Sequence, residues 1–276
     1  MPAKFENPYF DKLVGISHKQ EDLEQQLHEY VIDNVENVGG KKIADFEIPK
    51  TQKDIEIINF IEKEADKILK SYGREKRISV PLENIHILSD KGTEKYTSGR
   101  LNTGAHSNAQ KSIIVDRKKS NCQFSLVLFH EFIHLKSYSA LQVIPEGKIE
   151  TYRSGISIMS RDGKVVYLKN IEEAIVGYLT QKFYDSVLKT SDFYREETDN
   201  LVVNKFSISR QSELIQLNKI ADLVYEKNQD QFKNKNEVIN LFLDAQINGK
   251  LIKLSKLVKS TFGIQSLKIL DFKKIN

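Results

Sequence analysis

The sequence predicts a mixed α+β fold, with a small sheet in the N-terminal half and a mainly helical C-terminal part. The 276-residue chain has short β-branched runs before position 120 and long apolar-periodic stretches after position 169. Its 5 Pro residues all fall in the first 150 positions, so no Pro interrupts the later helices. These residues are Pro2, Pro8, Pro49, Pro81 and Pro145.

The N-terminal region contains one strong helical pattern and two short strand patterns. Apolar residues recur at helical spacing over residues 54–72, and Gly73 is placed to end that helix. Residues 12–36 show a weaker pattern of the same kind. Residues 84–88 alternate like a strand, and residues 111–116 form a β-branched run. A small sheet is therefore expected just before position 120.

A buried helix is predicted directly after this sheet. Ser120 and Gln123 have the spacing of a capping box, and the residues that follow are apolar on nearly every side. The one Cys of the chain, Cys122, lies at the start of this helix and is expected to be a packed thiol, with a reactive thiolate as the alternative. A single Cys forms no internal disulfide, which is typical of a reducing compartment.

The chain after this helix is expected to form a hairpin and then further helices. Residues 136–169 are interpreted as loop and hairpin, with Asp162-Gly163 as the turn between two β-prone runs. Helical periodicity then recurs over residues 170–188, 209–227, 236–247, 251–258 and 264–270. We therefore divide the chain into an N-terminal helical segment (1–75), a sheet-bearing lobe with the buried helix (76–168) and a helical C-terminal lobe (169–276).

The buried helix carries a motif that indicates a chemistry, His130-Glu131-Phe132-Ile133-His134. Positions four apart on a helix lie one turn above each other, so both His side chains can bind one metal ion. Zinc is the expected ion, because imidazole nitrogen suits it and a catalytic zinc has three protein ligands and one open position. The alternative is a pair of partly buried His residues with ordinary polar partners.

A third ligand has to come from elsewhere in the sequence, and it has to be a carboxylate. No His follows His134. Of the earlier ones, His86 and His106 are interpreted as ordinary strand or turn residues, and His18 and His28 as solvated helix residues. The candidate acids are Glu173, Glu172 and Glu150.

The two motifs together resemble those of the gluzincins, the thermolysin-like zinc peptidases, over residues 113–180. In that family an Asn-Glu-Ala-type motif begins a second helix and supplies the third zinc ligand. The matching residues here are Glu172-Glu173-Ala174, and the resemblance implies that Glu173 is the ligand. The alternative is that Glu173 forms a helix-capping box with Asn170. One turn later many members have an acid that hydrogen-bonds a zinc-binding His, where this chain has Gly177.

The resemblance implies a zincin-like fold and a zinc metallopeptidase whose site lies between the two lobes. Glu131 would be the general base that takes a proton from a zinc-activated water and returns it to the leaving amine. By analogy, residues 101–109 are a candidate edge strand that pairs with a peptide, the alternative being a simple hairpin loop. The downstream His that stabilises the oxyanion in thermolysin has no counterpart, so a Tyr or Arg is expected. The candidates are Tyr138, Tyr152, Arg153, Tyr167 and Tyr178.

Composition sets few limits on partners. The chain has 42 basic and 38 acidic residues, a net charge of +4, and this balance does not favour a nucleic-acid partner. It has no apolar stretch long enough to span a bilayer and no signal-type N-terminus, so we expect a cytoplasmic protein acting on peptides or proteins. The rival hypothesis is a binding or regulatory protein that keeps the scaffold with little or no catalytic activity. Gly177 and the missing downstream His favour this rival.

Overall fold

The computed structural model contains two small sheets and a set of helices, which confirms the mixed α and β class. It describes residues 7–14, 25, 27–30, 46–76, 78–89, 104–117, 120–143, 149–195, 197, 211–263 and 266–271. The strands are β1 (Lys12–Val14), β2 (Ile85–Leu88), β3 (Gly104–Ser107), β4 (Ser112–Asp116), β5 (Ser139–Val143), β6 (Ile149–Ser154), β7 (Ser157–Met159) and β8 (Val166–Tyr167). The helices are α1 (Gln52–Ser71), α2 (Asn121–Lys136), α3 (Lys169–Phe183), α4 (Gln211–Lys227), α5 (Lys235–Asn248), α6 (Leu251–Phe262) and α7 (Ser266–Leu270).

A three-stranded sheet with the order β2-β4-β3 lies against α2. β2 and β4 run parallel and confirm the two strands predicted before the buried helix. β3 runs antiparallel to β4, with His106 opposite Ile113, and lies at one edge. β3 covers part of the candidate edge strand at residues 101–109, of which residues 101–103 lie outside the described residues.

A second sheet has five strands in the order β1-β5-β6-β7-β8. β7 and β8 form the predicted hairpin, with Ile158 opposite Tyr167. β5 and β6 lie in a segment for which the sequence indicates only a loop. β1 corrects the weak helical prediction for residues 12–36, because pairing with β5 overrides the local pattern. Residues 25 and 27–30 are helical, and the remainder of that stretch beyond β1 lies outside the described residues.

The histidines outside the motif have varied surroundings. His86 is a strand residue, as predicted, and its Nδ1 is 3.0 Å from a carboxylate oxygen of Glu47. The prediction that His28 is solvated is wrong, because the residue is buried and stacks on Phe10, with ring centroids 4.8 Å apart. An aromatic face shields it from water. His18 lies outside the described residues.

α1 is the helix predicted over residues 54–72, and it begins at Gln52. Thr51 and Asp54 form a capping box: the Thr51 hydroxyl accepts from the Asp54 amide at 3.2 Å, and the Asp54 carboxylate accepts from the Thr51 amide at 2.9 Å. α1 packs along α2, where the buried Lys136 bonds to two carboxylates of α1 at 2.8 and 2.9 Å. These bonds hold the end of α2 in place.

The start of α2 is fixed by Ser120 and by an acid from further along the chain. The Ser120 hydroxyl accepts from the Gln123 amide at 3.2 Å, as the capping pattern predicts. The second partner is Glu197, whose carboxylate accepts from the Ser120 hydroxyl at 2.7 Å and from the Cys122 amide at 2.8 Å. Burial, with the Glu197 charge nearby, raises the pKa of the Cys122 thiol to about 12. A packed, protonated thiol is the result.

The C-terminal helices follow the sequence periodicity closely. α4, α5, α6 and α7 match the four stretches predicted after residue 209. α3 passes into a π-helical turn at Tyr184–Leu188. In the part of the chain that the structure describes, none of the helices combines the length and apolar character needed to cross a bilayer.

One hydrophobic core joins the helices to the three-stranded sheet. It includes residues of α1 to α7 and of β2 and β4, so it joins segments between Ile57 and Leu270. Phe124, Phe129 and Phe132 of α2 are fully buried within it. Burying one such side chain contributes roughly 1.5–3 kcal/mol. α2 is therefore held on several sides at once, which gives the motif it carries a fixed position.

Replacing Glu197 by Gln should lower the free energy of unfolding by about 1 kcal/mol at neutral pH, because a charged acceptor is lost from a helix N-terminus. Burial raises the pKa of Glu197, but hydrogen bonds from Cys122, Ser120 and Asn121 outweigh it and the pKa is lowered. The stabilisation is thus present above the unfolded-state pKa of about 4.3 and is lost as the pH falls through the folded-state pKa. Denaturant unfolding of metal-free protein at about pH 7 and about pH 3 measures both.

The control is Glu226→Gln, at an exposed position near the end of α4. It should change the free energy of unfolding by less than about 0.5 kcal/mol. A Glu197→Gln deficit that stays equally large at low pH would contradict the capping role.

Candidate metal centre

The helix α2 brings His130 and His134 onto one face, as the spacing predicts. Their Nε2 atoms are 3.2 Å apart, and the rings meet edge to face with centroids 4.8 Å apart. His134 is almost fully buried, whereas the His130 side chain is 17% exposed. Any access for solvent to the pair is therefore on the side of His130.

The helix α3 adds Glu173 to this pair. Its Oε2 lies 3.3 Å from His130 Nε2 and 3.6 Å from His134 Nε2. These three residues form the group that could hold a metal ion in the described part of the chain. The structure thus brings together the three side chains that the sequence proposed as ligands.

The spacing of the three ligand atoms can be compared with the needs of a metal ion. Two zinc ligands at about 2.0–2.2 Å from the ion and at the tetrahedral angle lie about 3.3–3.6 Å apart. Neighbouring ligands of a six-coordinate ion of similar bond length lie about 2.9 Å apart. The observed separations are 3.2, 3.3 and 3.6 Å. The donor set and its spacing fit a four-coordinate ion.

Glu172, the rival candidate ligand, lies on the other side of His134. Its Oε1 accepts from His134 Nδ1 at 3.0 Å and from the Ser154 hydroxyl at 2.8 Å. Because Nδ1 of His134 carries the proton for this bond, its Nε2 presents a lone pair to Glu173 and His130. Glu172 therefore orients His134 and does not compete for the same position as Glu173.

A buried network continues behind Glu172. The Asn108 amide donates to Ser154 Oγ at 2.9 Å, and Lys111 Nζ donates to Asn108 Oδ1 at 3.0 Å. Lys111 also donates to the Leu135 carbonyl and to Ser139, at 3.3 and 3.2 Å. Burial lowers the pKa of the Lys111 ammonium to about 7. The network connects α3 and β6 to the turn before β4 and so fixes the far side of the site.

His130 has a different partner, which bears on the departure at Gly177. Gly177 has no side chain that could bond His130, and the partner is Thr180, three residues later, whose hydroxyl is 3.4 Å from His130 Nδ1. That hydroxyl donates to the Val176 carbonyl at 2.8 Å, so it accepts from Nδ1 of His130. The contact is long, but it leaves His130 Nε2 free for the cluster.

The electrostatics of the cluster favour a bound cation. Burial by itself would raise the pKa of Glu173 and lower that of His134. The contacts with His130 and His134 outweigh burial and hold the pKa of Glu173 well below its usual range. The contacts with Glu172 and Glu173 likewise raise the pKa of His134 well above its usual value. Negative charge from two carboxylates therefore surrounds His134, and a metal ion that binds there displaces a proton.

Glu131 lies beside the cluster and contacts His106 of β3. The Nδ1 of His106 is 2.7 Å from Glu131 Oε2, and the His106 ring stacks on His134 with centroids 4.4 Å apart. Burial raises the pKa of Glu131, but the His106 hydrogen bond and charge outweigh it, and the pKa is lowered. His106 is a strand residue, as predicted, but the sequence does not predict its contacts with Glu131 and His134.

The start of α3 differs from the capping box proposed for Asn170 and Glu173. The N-cap is Leu168, which has a left-handed φ of 64° and no side-chain cap. Its amide donates to Asp271 Oδ1 at 3.0 Å, and the Asn170 side chain donates to the Asp271 carbonyl at 3.1 Å. Residues that follow α7 therefore hold the start of the helix that carries Glu173. The capping prediction fails because the helix begins earlier than expected.

Two of the candidate oxyanion-stabilising residues have other roles. The guanidinium of Arg153 donates to the carbonyls of Gly155, Ala245 and Gly249 at 2.7, 3.1 and 3.0 Å. The Tyr138 ring packs against that guanidinium, and the Cζ atom of Arg153 is 4.6 Å from the centroid of the ring. Both residues thus secure the end of α5. The remaining candidates are Tyr152 on β6, Tyr167, exposed on β8, and Tyr178 on α3.

The sequence does not predict the contacts of His106, Ser154 and Thr180. It leaves Glu172 as an alternative ligand, and in the structure the Glu172 carboxylate bonds Nδ1 of His134. One signal for His106 was available, because a strand predicted just before a metal-binding helix has to pack beside it. Glu150, the third candidate ligand, lies against the hairpin turn: a Cβ on Gly163 would be 2.8 Å from its Oε2. Its carboxylate therefore lies beside the hairpin turn and does not belong to the group that could hold a metal ion.

Comparisons of the chain with protein families, with curated proteins and with solved structures find no match. The resemblance to gluzincins therefore depends on the two short motifs and on the arrangement of their side chains.

Replacing each candidate acid by Gln should distinguish the residue that binds zinc from the residue that hydrogen-bonds His134. Glu173→Gln should abolish stoichiometric zinc binding, because the amide is a much weaker ligand than the carboxylate. Glu172→Gln should keep the stoichiometry and lower the affinity by about 10–100-fold, because only the orientation and basicity of His134 change. Glu150→Gln is the control and should leave both unchanged. Elemental analysis gives the stoichiometry, and competition with a chromophoric chelator gives the affinity.

The assignment of Glu173 is wrong if Glu173→Gln still binds one zinc per chain with undiminished affinity. A complete loss of zinc in Glu150→Gln would point to that residue instead.

Proposed function

We propose that the chain is a zinc-dependent metallopeptidase of the gluzincin type, with a zincin-like fold. The observation that carries the proposal is the convergence of His130, His134 and Glu173 on one point, with ligand-atom separations of 3.2, 3.3 and 3.6 Å. Glu131 lies next to this point on α2. The set of two imidazoles and one carboxylate is the ligand set of thermolysin-like catalytic zinc sites.

The identity of the metal is inferred from donor type and number. Imidazole and carboxylate suit zinc, while magnesium and calcium prefer oxygen donors only. Three protein ligands leave a four-coordinate ion one position for water or substrate. A structural zinc site would have four protein ligands, whereas the cluster in the described part of the chain has three. The number of ligands therefore favours a catalytic zinc.

The chemistry of the chain's own residues follows from their positions. When bound, zinc supplies a Lewis acid that polarises the substrate carbonyl and makes a water molecule more acidic. Glu131 accepts a proton from the attacking water at its carboxylate and then delivers it to the leaving amine. Its pKa is lowered, so the carboxylate is ionised at neutral pH and can accept the proton. Burial of His134 and Glu131 keeps bulk water away from this proton transfer.

The edge strand β3 supports a peptide as the substrate. It pairs with β4 along one side and runs directly beside α2, with Gly104 against Glu131. No second strand pairs with it among the described residues. An extended peptide could add to this edge by backbone hydrogen bonds and pass the metal centre.

The rival function is a binding or regulatory protein on the same scaffold, with little or no catalysis. It is favoured by one observation, that Arg153 and Tyr138 are engaged at the end of α5 and are not available to stabilise an oxyanion. A bound zinc ion would then have a structural or sensing role, and Glu131 would not act as a base.

Glu131→Gln separates the two functions. The amide keeps the shape of the side chain but takes up no proton, so peptide hydrolysis should fall by a factor of about 10²–10⁴ while one zinc per chain is retained. Mass spectrometry of a broad peptide library incubated with wild-type and variant protein measures cleavage. Elemental analysis of the same samples measures zinc.

The peptidase proposal fails if zinc-loaded wild-type protein cleaves no member of the library. It also fails if Glu131→Gln cleaves as fast as wild type. Loss of zinc from Glu131→Gln would instead make Glu131 a structural part of the site.

A further inference from the structure

His106 lies within the candidate metal centre but outside the ligand cluster. Its Nδ1 is 2.7 Å from Glu131 Oε2, and its ring is inclined by only 17° to that of His134. The lone pair of an imidazole nitrogen lies in the plane of the ring. Because the His106 and His134 rings are nearly parallel and stacked, their lone pairs lie in separate parallel planes and do not meet at one ion. The position of His106 therefore suits an action on Glu131 and not on the metal.

The same strand shapes the space around the other oxygen of Glu131. Gly104 and His106 are alternate residues of β3, so they face the same side of the strand. A Cβ on Gly104 would lie 3.1 Å from Glu131 Oε1 and 2.8 Å from Val127 Cγ1. The missing side chain lets the backbone of β3 come close to α2. This close approach brings His106 within hydrogen-bond distance of Oε2.

A buried carboxylate needs a donor to keep its charge and its orientation. Glu131 is only 6% exposed, so water does little to stabilise the charge of its carboxylate or to fix its orientation. The His106 contact is a charge-assisted hydrogen bond of short length, a kind roughly twice as strong as a neutral one. It holds Oε2, so Oε1, which lies beside Gly104, is the oxygen left to accept a proton. A base contributes fully only when it is held close to its productive geometry.

We propose that His106 is a positioning residue for Glu131, through which strand β3 completes the proton acceptor of the site. This role rests on the proposed function. It requires an N–H donor at the δ position of residue 106 and no change in the protonation of the ring. A merely structural role would require only an apolar or aromatic side chain that packs on His134.

Two substitutions separate these requirements. His106→Asn keeps an N–H donor at the δ position but removes the ring, and His106→Leu keeps apolar bulk but removes the donor. His86 provides a matched control, because its Nδ1 makes the same kind of contact with Glu47, at 3.0 Å, from strand β2 of the same sheet. His86→Leu removes an equivalent bond without touching Glu131.

Three readouts are compared for all variants. The first is zinc content. The second is the affinity of acetohydroxamic acid for the cobalt-loaded protein, which visible absorption measures. This acid gives up its O–H proton on binding, and Glu131 is the nearby proton acceptor. The third is kcat and KM for a peptide that the wild-type protein cleaves.

His106→Leu should bind zinc at wild-type stoichiometry, lower acetohydroxamate affinity about tenfold or more and lower kcat about 100-fold with little change in KM. His106→Asn should recover most of both losses, and His86→Leu should match wild type in all three readouts. The proposal is overturned if Asn is as impaired as Leu, if His106→Leu loses zinc in step with kcat, or if His86→Leu is equally impaired.

The outcomes also separate this role from the proposed function. A wild-type protein that binds zinc and acetohydroxamate but cleaves no peptide overturns the peptidase, while a loss of acetohydroxamate affinity in His106→Leu alone still supports the positioning role. An active wild type whose His106 variants are unimpaired overturns the positioning role alone. A wild type that takes up neither zinc nor cobalt overturns both.

Discussion

The packing of α2 against α3 is the constraint on which the candidate centre depends. Phe129 of α2 and Phe183 of α3 stack with centroids 4.1 Å apart and planes only 5° from parallel, and both are fully buried. Phe129 directly precedes His130, so this stack fixes the position of the His pair along α3. A slip of one residue moves a helix by about 1.5 Å, which is enough to take Glu173 out of reach of both imidazoles. The relative positions of the His pair and Glu173 therefore depend on the packing of the core between α2 and α3.

The helices could be predicted from the sequence and several strands could not. Helical periodicity is local, and α1, α4, α5 and α6 each repeat their apolar residues over several turns. β1 has three residues, Lys12–Val14, and becomes a strand only because β5 pairs with it. β5 and β6 likewise stabilise each other, across a register shift at Ala140 and Leu141. Pairing between distant segments leaves little trace in the local pattern.

The same distinction applies to the site. His130, Glu131 and His134 lie on one helix, where spacing alone predicts their arrangement. Glu172 and Glu173 are adjacent, and both reach the His pair, one at Nδ1 of His134 and the other at Nε2. Composition and spacing do not decide which acid meets which nitrogen, and here the family resemblance assigned Glu173. The position of His106 follows from the pairing of β3 with β4, and a strand expected beside α2 was its one signal in the sequence.

The hydrogen bond from Leu168 to Asp271 has a consequence for how the protein is made. Asp271 lies 103 residues beyond the amide that it accepts from. A nascent chain that has just released both motifs from the ribosome lacks this acceptor, and the left-handed Leu168 is then unsupported. The start of α3 therefore becomes fixed only after Asp271, 103 residues further along the chain, has been made. Until then, the start of α3 is held less firmly in a growing chain than in the folded protein.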